Sequence, residues 1–190
     1  MGVKILALDL STSPGWAILE DGKLLDCGKE SFKIEDFNVN AYPNKSEKYP
    51  YNIVDTVEEV AEYIYNIYES ETDIDYVVIE NTVRGINRNT QRALEWIHLA
   101  VLNRFNEERS KIKYLDPSEW RKIIELRLTD EDKAHNKLVR KKVVKGKITH
   151  KHLSVRYVNK LFDKTFKLVD NDLCDAVCVA VAYNKLLTKK

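Results

Sequence analysis

Residues 176–182, Ala-Val-Cys-Val-Ala-Val-Ala, form an unbroken apolar run inside a helix expected from about Asp172 to Leu187. A helix that is apolar on every side must be largely buried. The rest of the chain must therefore supply layers to cover it. Two acids, Asp172 and Asp175, stand at the start of this helix, and their three-residue spacing puts them on one face.

The remaining segments supply candidate layers. Residues 3–10 are apolar enough for a buried strand, and Ser11-Thr12-Ser13-Pro14-Gly15 is a turn cluster. Trp16 to Leu19 and Leu24 to Gly28 read as two further strands, split by the hairpin signal Asp21-Gly22. Residues 31–50 are polar and contain Pro43 and Pro50, which suits an irregular connection. Ile53, Val54, Val57, Val60, Ala61, Ile64, Ile67 and Tyr68 make a helical stripe. Tyr76-Val77-Val78-Ile79 is a β-branched run typical of a strand buried on both faces, and it stops at Glu80. A helix follows from about Thr90 to Glu107, then a strand at Ile112 to Leu115. Another helix starts at Asp116-Pro117-Ser118-Glu119, with Pro in its first turn. Residues 151–162 look helical; for 132–148 helix and disordered loop both fit. Strands first and strand–helix alternation afterwards predict an α/β fold with a mixed sheet.

Carboxylates recur at the ends of these apolar elements. Asp9 closes the first strand, Glu80 closes the Val-Val-Ile strand, and Asp172 and Asp175 open the apolar helix. Clustered acids repel one another and raise one another's pKa unless a cation lies among them. Carboxylate oxygens suit Mg²⁺ or Mn²⁺, and two such ions can hold both oxygens of a phosphodiester displacement. Simpler roles exist for each acid. Asp9 could cap the turn through Ser11, Glu80 could be an ordinary strand-end charge, and Asp172 with Asp175 could form a helix-capping pair. Asp170 competes locally with Asp172.

Taken in order, these residues resemble the RuvC family of Holliday-junction resolvases, within the RNase H-like superfamily, and in particular its phage-encoded members. Ile5-Leu6-Ala7-Leu8-Asp9-Leu10-Ser11 with Gly15-Trp16-Ala17 is similar to the family's first strand, acid and hairpin. Val78-Ile79-Glu80-Asn81 is similar to the strand bearing the second acid, Asn89 to Asn103 to the helix after it, and Asp172-Leu173-Cys174-Asp175-Ala176 to the family's DxxDA signature. The resemblance implies a single RNase H-like domain over residues 1–190 with a mixed five-stranded sheet flanked by helices. It implies Asp9, Glu80, Asp172 and Asp175 as catalytic metal ligands, Mg²⁺ or Mn²⁺ with two ions per active site, a homodimer, and nicking of four-way junctions and other branched DNA. The chain departs from the pattern of the bacterial members at a Lys-rich insert around 127–150, where those members carry a Gly-rich basic stretch. The sequence Asp9-Leu10-Ser11-Thr12-Ser13-Pro14-Gly15 is also similar to the first phosphate loop of actin-like phosphotransferases. Those have two lobes, whereas this chain has the length of one. A branched-DNA binder without catalysis is a third possibility, and intact acids at all four positions count against it.

Charge is distributed very unevenly. Residues 1–132 hold 16 Lys and Arg against 26 Asp and Glu, while residues 133–160 hold ten basic residues and no acid. Lys133, Lys137, Arg140, Lys141, Lys142, Lys145, Lys147 and Lys151 thus form a block suited to phosphates. Arg84, Arg88 and Arg92, just after Glu80, could hold phosphates beside a cut, and Ile86 could wedge between bases. His135, His150 and His152 fall within the basic segment, where a histidine could act as general acid or base or as a polar contact. Trp96 and His98 lie on the helix after Glu80, and Trp96 suits either core or dimer interface. Cys27, Cys174 and Cys178 include no CxxC pair and read as reduced packing residues. No apolar run reaches the ~18–20 residues of a membrane span, and the first residues lack signal-peptide order. A cytoplasmic protein is expected, in the host cytoplasm if phage-encoded.

Overall fold

The computed structural model describes residues 2–32, 50–82 and 88–189. β1 (Lys4–Asp9), β2 (Gly15–Glu20) and β3 (Lys23–Lys29) form an antiparallel meander. Asp21 and Gly22 take the positive φ values, 48° and 81°, that a tight hairpin between β2 and β3 requires. After α1 (Tyr51–Ser70), β4 (Tyr76–Glu80) pairs parallel with β1 on its other edge. α2 (Arg88–Arg104) leads to β5 (Ile112–Leu115), parallel to β4. The sheet is therefore mixed and five-stranded, in the order β3-β2-β1-β4-β5. The last four helices are α3 (Pro117–Ile123), α4 (Asp130–Arg140), α5 (His150–Phe162) and α6 (Asn171–Thr188).

Side-chain alternation along β1 divides the core into two layers. Ile5 and Ala7, with Ala17, Leu19 and Val78, face α3, α5 and α6. Leu6 and Leu8, with Ile18, Val77 and Ile79, face α1 and α2. The continuous apolar run 176–182 is explained by this placement. α6 lies against β1 and β2 on one side and is covered by α3 and α5 on the other, and every residue from Leu173 to Ala182 is buried.

The basic segment is ordered. Thr129 and Asp132 form a reciprocal cap that starts α4: Asp132 N–H donates to the Thr129 hydroxyl and Thr129 N–H donates to the Asp132 carboxylate, each at 3.1 Å. Buried Asn136 holds the returning chain at both ends of one peptide residue, donating to Ile148 C=O at 2.9 Å and accepting from Ile148 N–H at 2.8 Å. His135 Nε2 meets Gly146 C=O at 2.8 Å, and Arg156 on α5 pairs with Asp132 at 2.8 Å. Residues 130–140 are thus helix, and the loop after them is tied to that helix through its backbone. Among the described residues, no helix is long and apolar enough to cross a membrane.

Candidate active site

The site follows from strand register. Leu8 of β1 pairs with Ile79 of β4, so the next residues, Asp9 and Glu80, leave the sheet side by side. They do so at the carboxyl ends of parallel strands, the edge at which α/β sheets hold ligands. Asp9 is also the register partner of Gly15. A Cβ on Gly15 would lie 2.2 Å from the Asp172 carbonyl oxygen, so the start of β2 meets the first turn of α6 backbone to backbone. That contact carries Asp172, and Asp175 almost one turn later, to the same edge. All four carboxylates line one cavity of about 320 Å³, together with Lys151 and His98.

Crowding of the acids is visible in their proton affinities. Burial raises the Asp9 carboxyl well above the usual carboxylate range, and Glu80, Asp175 and Asp172 raise it further against the opposing charge of Lys151. Glu80 is pushed up to about 7, first by burial and then by Asp175, with Arg121 and the Trp120 N–H opposing. Burial also pushes Asp175 up to about 6, against the Ser154 hydroxyl and Arg121. Asp175 Oδ1 is buried and accepts no hydrogen bond among the described residues. An orphaned buried acceptor is costly and points to a missing cation or donor.

Glu80 and Asp172 each have a donor or cation of their own close by. Trp120 Nε1 donates to Glu80 Oε2 at 3.1 Å. The Arg121 guanidinium, stacked 4.6 Å over the Trp120 ring, stands 4.0 Å from Glu80 Oε1. Asp172 Oδ1 accepts from Asn171 Nδ2 at 2.7 Å and faces Lys151 Nζ at 3.8 Å. Among the described residues, no three His, Cys, Asp or Glu side chains converge closely enough to hold a metal ion between them as they stand. Glu80 and Asp172 stand beside Arg121 and Lys151 instead.

The simpler roles go to other residues. The Ser11 hydroxyl, not Asp9, holds the turn after β1 by accepting from Ser13 N–H at 2.9 Å. Asp170 occupies the N-cap position of α6, and no side chain caps that helix. Asp172 therefore lies inside the first turn, and the alternative of a capping pair formed by Asp172 and Asp175 is not what the structure holds. His135 and His152 are engaged within the basic segment, His152 with Thr149. His150 lines a different cavity. None of the three is among the residues lining the carboxylate cavity.

His98, which nothing in the sequence pattern singled out for the site, reaches the cavity wall instead. Burial holds it down to about 4, so it is neutral near pH 7, and its Nδ1 lies 3.3 Å from the Tyr114 hydroxyl. Trp120 and Arg121 also escaped the sequence reading, because their contact with Glu80 spans 40 residues and follows no motif.

Of the expected DNA contacts, Lys151 enters the carboxylate cavity. Lys137, Arg140, Lys141, Lys142, Lys145 and Lys147 lie on α4 and the loop that follows, and all six are exposed. Arg92 is half-buried on α2. Arg84 and Ile86, and the side chain of Arg88, lie outside the described residues. All three cysteines are free; burial pushes Cys174 up to about 12 and Cys178 upward as well, as suits packing thiols.

At the level of sequence, no family model and no curated protein matches the chain. Solved structures do. RuvC of Thermus thermophilus in complex with a Holliday junction substrate superposes with a TM-score of 0.58 at 11% identity, covering 98% of this chain and 96% of that one. The chain has the RuvC fold. A second Thermus thermophilus RuvC structure gives 0.57 at 12% identity, with the same coverage. The yeast mitochondrial Holliday junction resolvase Ydc2 gives 0.52 at 10%, covering 98% of this chain and 81% of that one. The mixed five-stranded RNase H-like architecture expected from the sequence is thus the one found, and the RuvC fold spans nearly the whole chain.

Proposed function

We propose that this protein is a divalent-metal-dependent endonuclease that nicks four-way DNA junctions and related branched DNA. The observation that carries the reading is the convergence of Asp9, Glu80, Asp172 and Asp175, from three separate segments, on one cavity of the RuvC fold. The donor set fits Mg²⁺ or Mn²⁺, since it is all oxygen, one buried acceptor lacks a partner, and the carboxyls raise one another's proton affinity. These four residues would hold one or two such ions. When bound, the metal supplies hydroxide near neutral pH and stabilises charge on the phosphoryl oxygens.

The chain's own groups have defined parts in this reading. Trp120 fixes the orientation of Glu80 through its N–H. Lys151 can turn from Asp172 to a non-bridging phosphate oxygen, as a flexible ammonium point charge. Neutral His98 presents a polar ring to the cavity without adding charge. The basic block on α4 and its loop supplies affinity for the DNA backbone, and Arg84, Arg88 and Arg92 would act next to the cut.

Residues 1–190 are read as one nuclease domain with the basic insert around 127–150, working in the cytoplasm. A junction presents two strands to be cut, which suits a homodimer. The apolar groove between α1 and α2, where Val54 and Leu99 are exposed beside Trp96, supports that assembly.

The test is a cleavage panel of four-way, forked and linear DNA with Mg²⁺ and with Mn²⁺. Branched DNA should be cut and linear duplex spared. Glu80→Gln should abolish cutting and leave junction binding largely intact; a Glu80→Gln protein that still cuts would sink the assignment.

A further inference from the structure

A second cavity, of about 610 Å³, opens beside α3 and is lined by Arg121, Lys122, Glu125, Arg127 and His150. It is separate from the carboxylate cavity, yet Arg121 belongs to both surroundings: its guanidinium lies 4.0 Å from Glu80 Oε1 and also lines this second space. The chain is folded specifically to gather these cations. α3 ends in a left-handed turn in which Leu126 N–H donates to Arg121 C=O at 2.8 Å and Glu125 N–H donates to Lys122 C=O at 3.2 Å. Glu125 takes φ of 58°, a conformation usually left to glycine. That reversal buries Leu126 and turns Arg127 back over the cavity that Arg121 and Lys122 line.

Arg121 is shared with Glu80, while Lys122 and Arg127 are exposed at the cavity. Among the described residues, Lys122 and Arg127 have no ion pair, and Arg121 Nε is buried with no hydrogen-bond partner. One carboxylate, Glu125, faces three cations. An anion with several oxygens suits this group of cations, since a guanidinium offers several N–H donors to phosphate. The volume exceeds what a lone phosphate fills and leaves room for the attached sugar.

We infer that this cavity is a subsite for the backbone phosphodiester flanking the one among the carboxylates, with Arg121 as the wall between the two. The inference rests on the reading of the chain as a DNA nuclease. Arg121 stands between Glu80 and this cavity, so a strand held at Glu80 can present its neighbouring phosphate there. The subsite gives the carboxylate cavity a register on the strand, which the exposed lysines of the basic block cannot provide.

The experiment measures junction binding by fluorescence anisotropy in EDTA, where cutting plays no part. Junctions carry single neutral methylphosphonates scanned along the strand on both sides of the crossover. At one position the wild-type protein should lose about tenfold in affinity, equal to about 1.4 kcal/mol. Lys122→Ala/Arg127→Ala should lose a similar factor on the natural junction and nothing more on that modified one. Glu125→Gln should bind the natural junction more tightly. Strictly additive losses at every methylphosphonate position would overturn the subsite. So would competition data in which inorganic phosphate protects Arg127 from phenylglyoxal but junction DNA does not, since the cavity would then serve a free anion. These binding results stand apart from the cleavage panel, so the subsite and the nuclease reading can fail separately.

Discussion

Gly15→Ala tests the joint that brings two halves of the carboxylate set together. Gly15 is buried at the start of β2, paired in register with Asp9. A new Cβ there would stand 2.2 Å from Asp172 O, 2.3 Å from Asp172 C and 2.6 Å from Leu173 N. Carbon–oxygen contacts close to about 3.3 Å at the shortest, so β2 and α6 must separate by roughly 1 Å. Both sides of the clash are backbone, so no rotamer change relieves it. Overpacking of this kind costs about 1–3 kcal/mol, and the upper end is expected because α6 is covered on all sides. The same ~1 Å moves Asp172 away from Asp9, and misplacement of that size costs about 100-fold in rate. Gly28→Ala is the control, since the nearest atoms to its Cβ belong to the Trp16 side chain, at 2.8 Å, and not to backbone; it should cost less stability and little rate. Urea unfolding gives the first quantity, and single-turnover junction cleavage at a temperature where both variants are folded gives the second. A Gly15→Ala protein with wild-type midpoint would refute the backbone contact. One that is destabilised yet cuts at the wild-type rate would refute its role in setting the carboxylates.

Three further outcomes are expected. In EDTA, Glu80 and Asp175 keep protons when folded that they lose when unfolded, so stability should fall as pH rises from the ordinary values of 4.5 and 3.8 through about 7 and about 6. The fall should be smaller in Glu80→Gln and be offset by Mg²⁺ or Mn²⁺; urea midpoints with the same pH slope in wild type and in Glu80→Gln would contradict the shift. Asn136→Ala should cost about 1–3 kcal/mol by leaving the Ile148 backbone groups without partners, and hydrogen exchange should show the Ile148 amide losing protection. Neutralising Lys141, Lys142 and Lys145 should weaken junction binding and lower its salt slope by about 0.9 for each phosphate no longer neutralised; an unchanged slope would place the DNA footprint elsewhere.

The framework was legible because it is written in short-range periodicities. The run Tyr76 to Ile79, the Asp21-Gly22 hairpin and the stripe from Ile53 to Tyr68 each became the expected element, within a few residues at the ends. Asp9 and Glu80 were legible for the same reason, standing where an apolar strand stops. Asp172 and Asp175 were ambiguous, since capping and cavity placement share one spacing, and only the position of Asp170 at the N-cap separates them. Long-range contacts left no such trace. Gly15 reads as a turn residue, but its small size serves the approach of α6. Trp120 and Arg121 meet Glu80 across about 40 residues. The basic segment stayed open between helix and disordered loop in the sequence; the Thr129–Asp132 cap starts its helix, and Asn136 and His135 hold a loop whose composition alone suits disorder.

The distribution of charge links these parts. On the proposed reading, a polyanion must approach a cavity holding four acids on a chain whose segment 1–132 has ten more acids than bases. Lys151 and Arg121 offset part of that charge at close range, each beside one carboxylate, but both are then occupied and the acids stay apart. A divalent cation changes both conditions at once. Asp9, Glu80, Asp172 and Asp175 would hold it, and Lys151 and Arg121, no longer needed beside Asp172 and Glu80, would be left to face phosphate. The basic block, with no acid between residues 133 and 160, can hold DNA without the metal. Metal should therefore add little to the affinity set by α4 and its loop and much to the seating of one strand at the cavity, so the gain from Mg²⁺ should be concentrated at phosphates near the crossover.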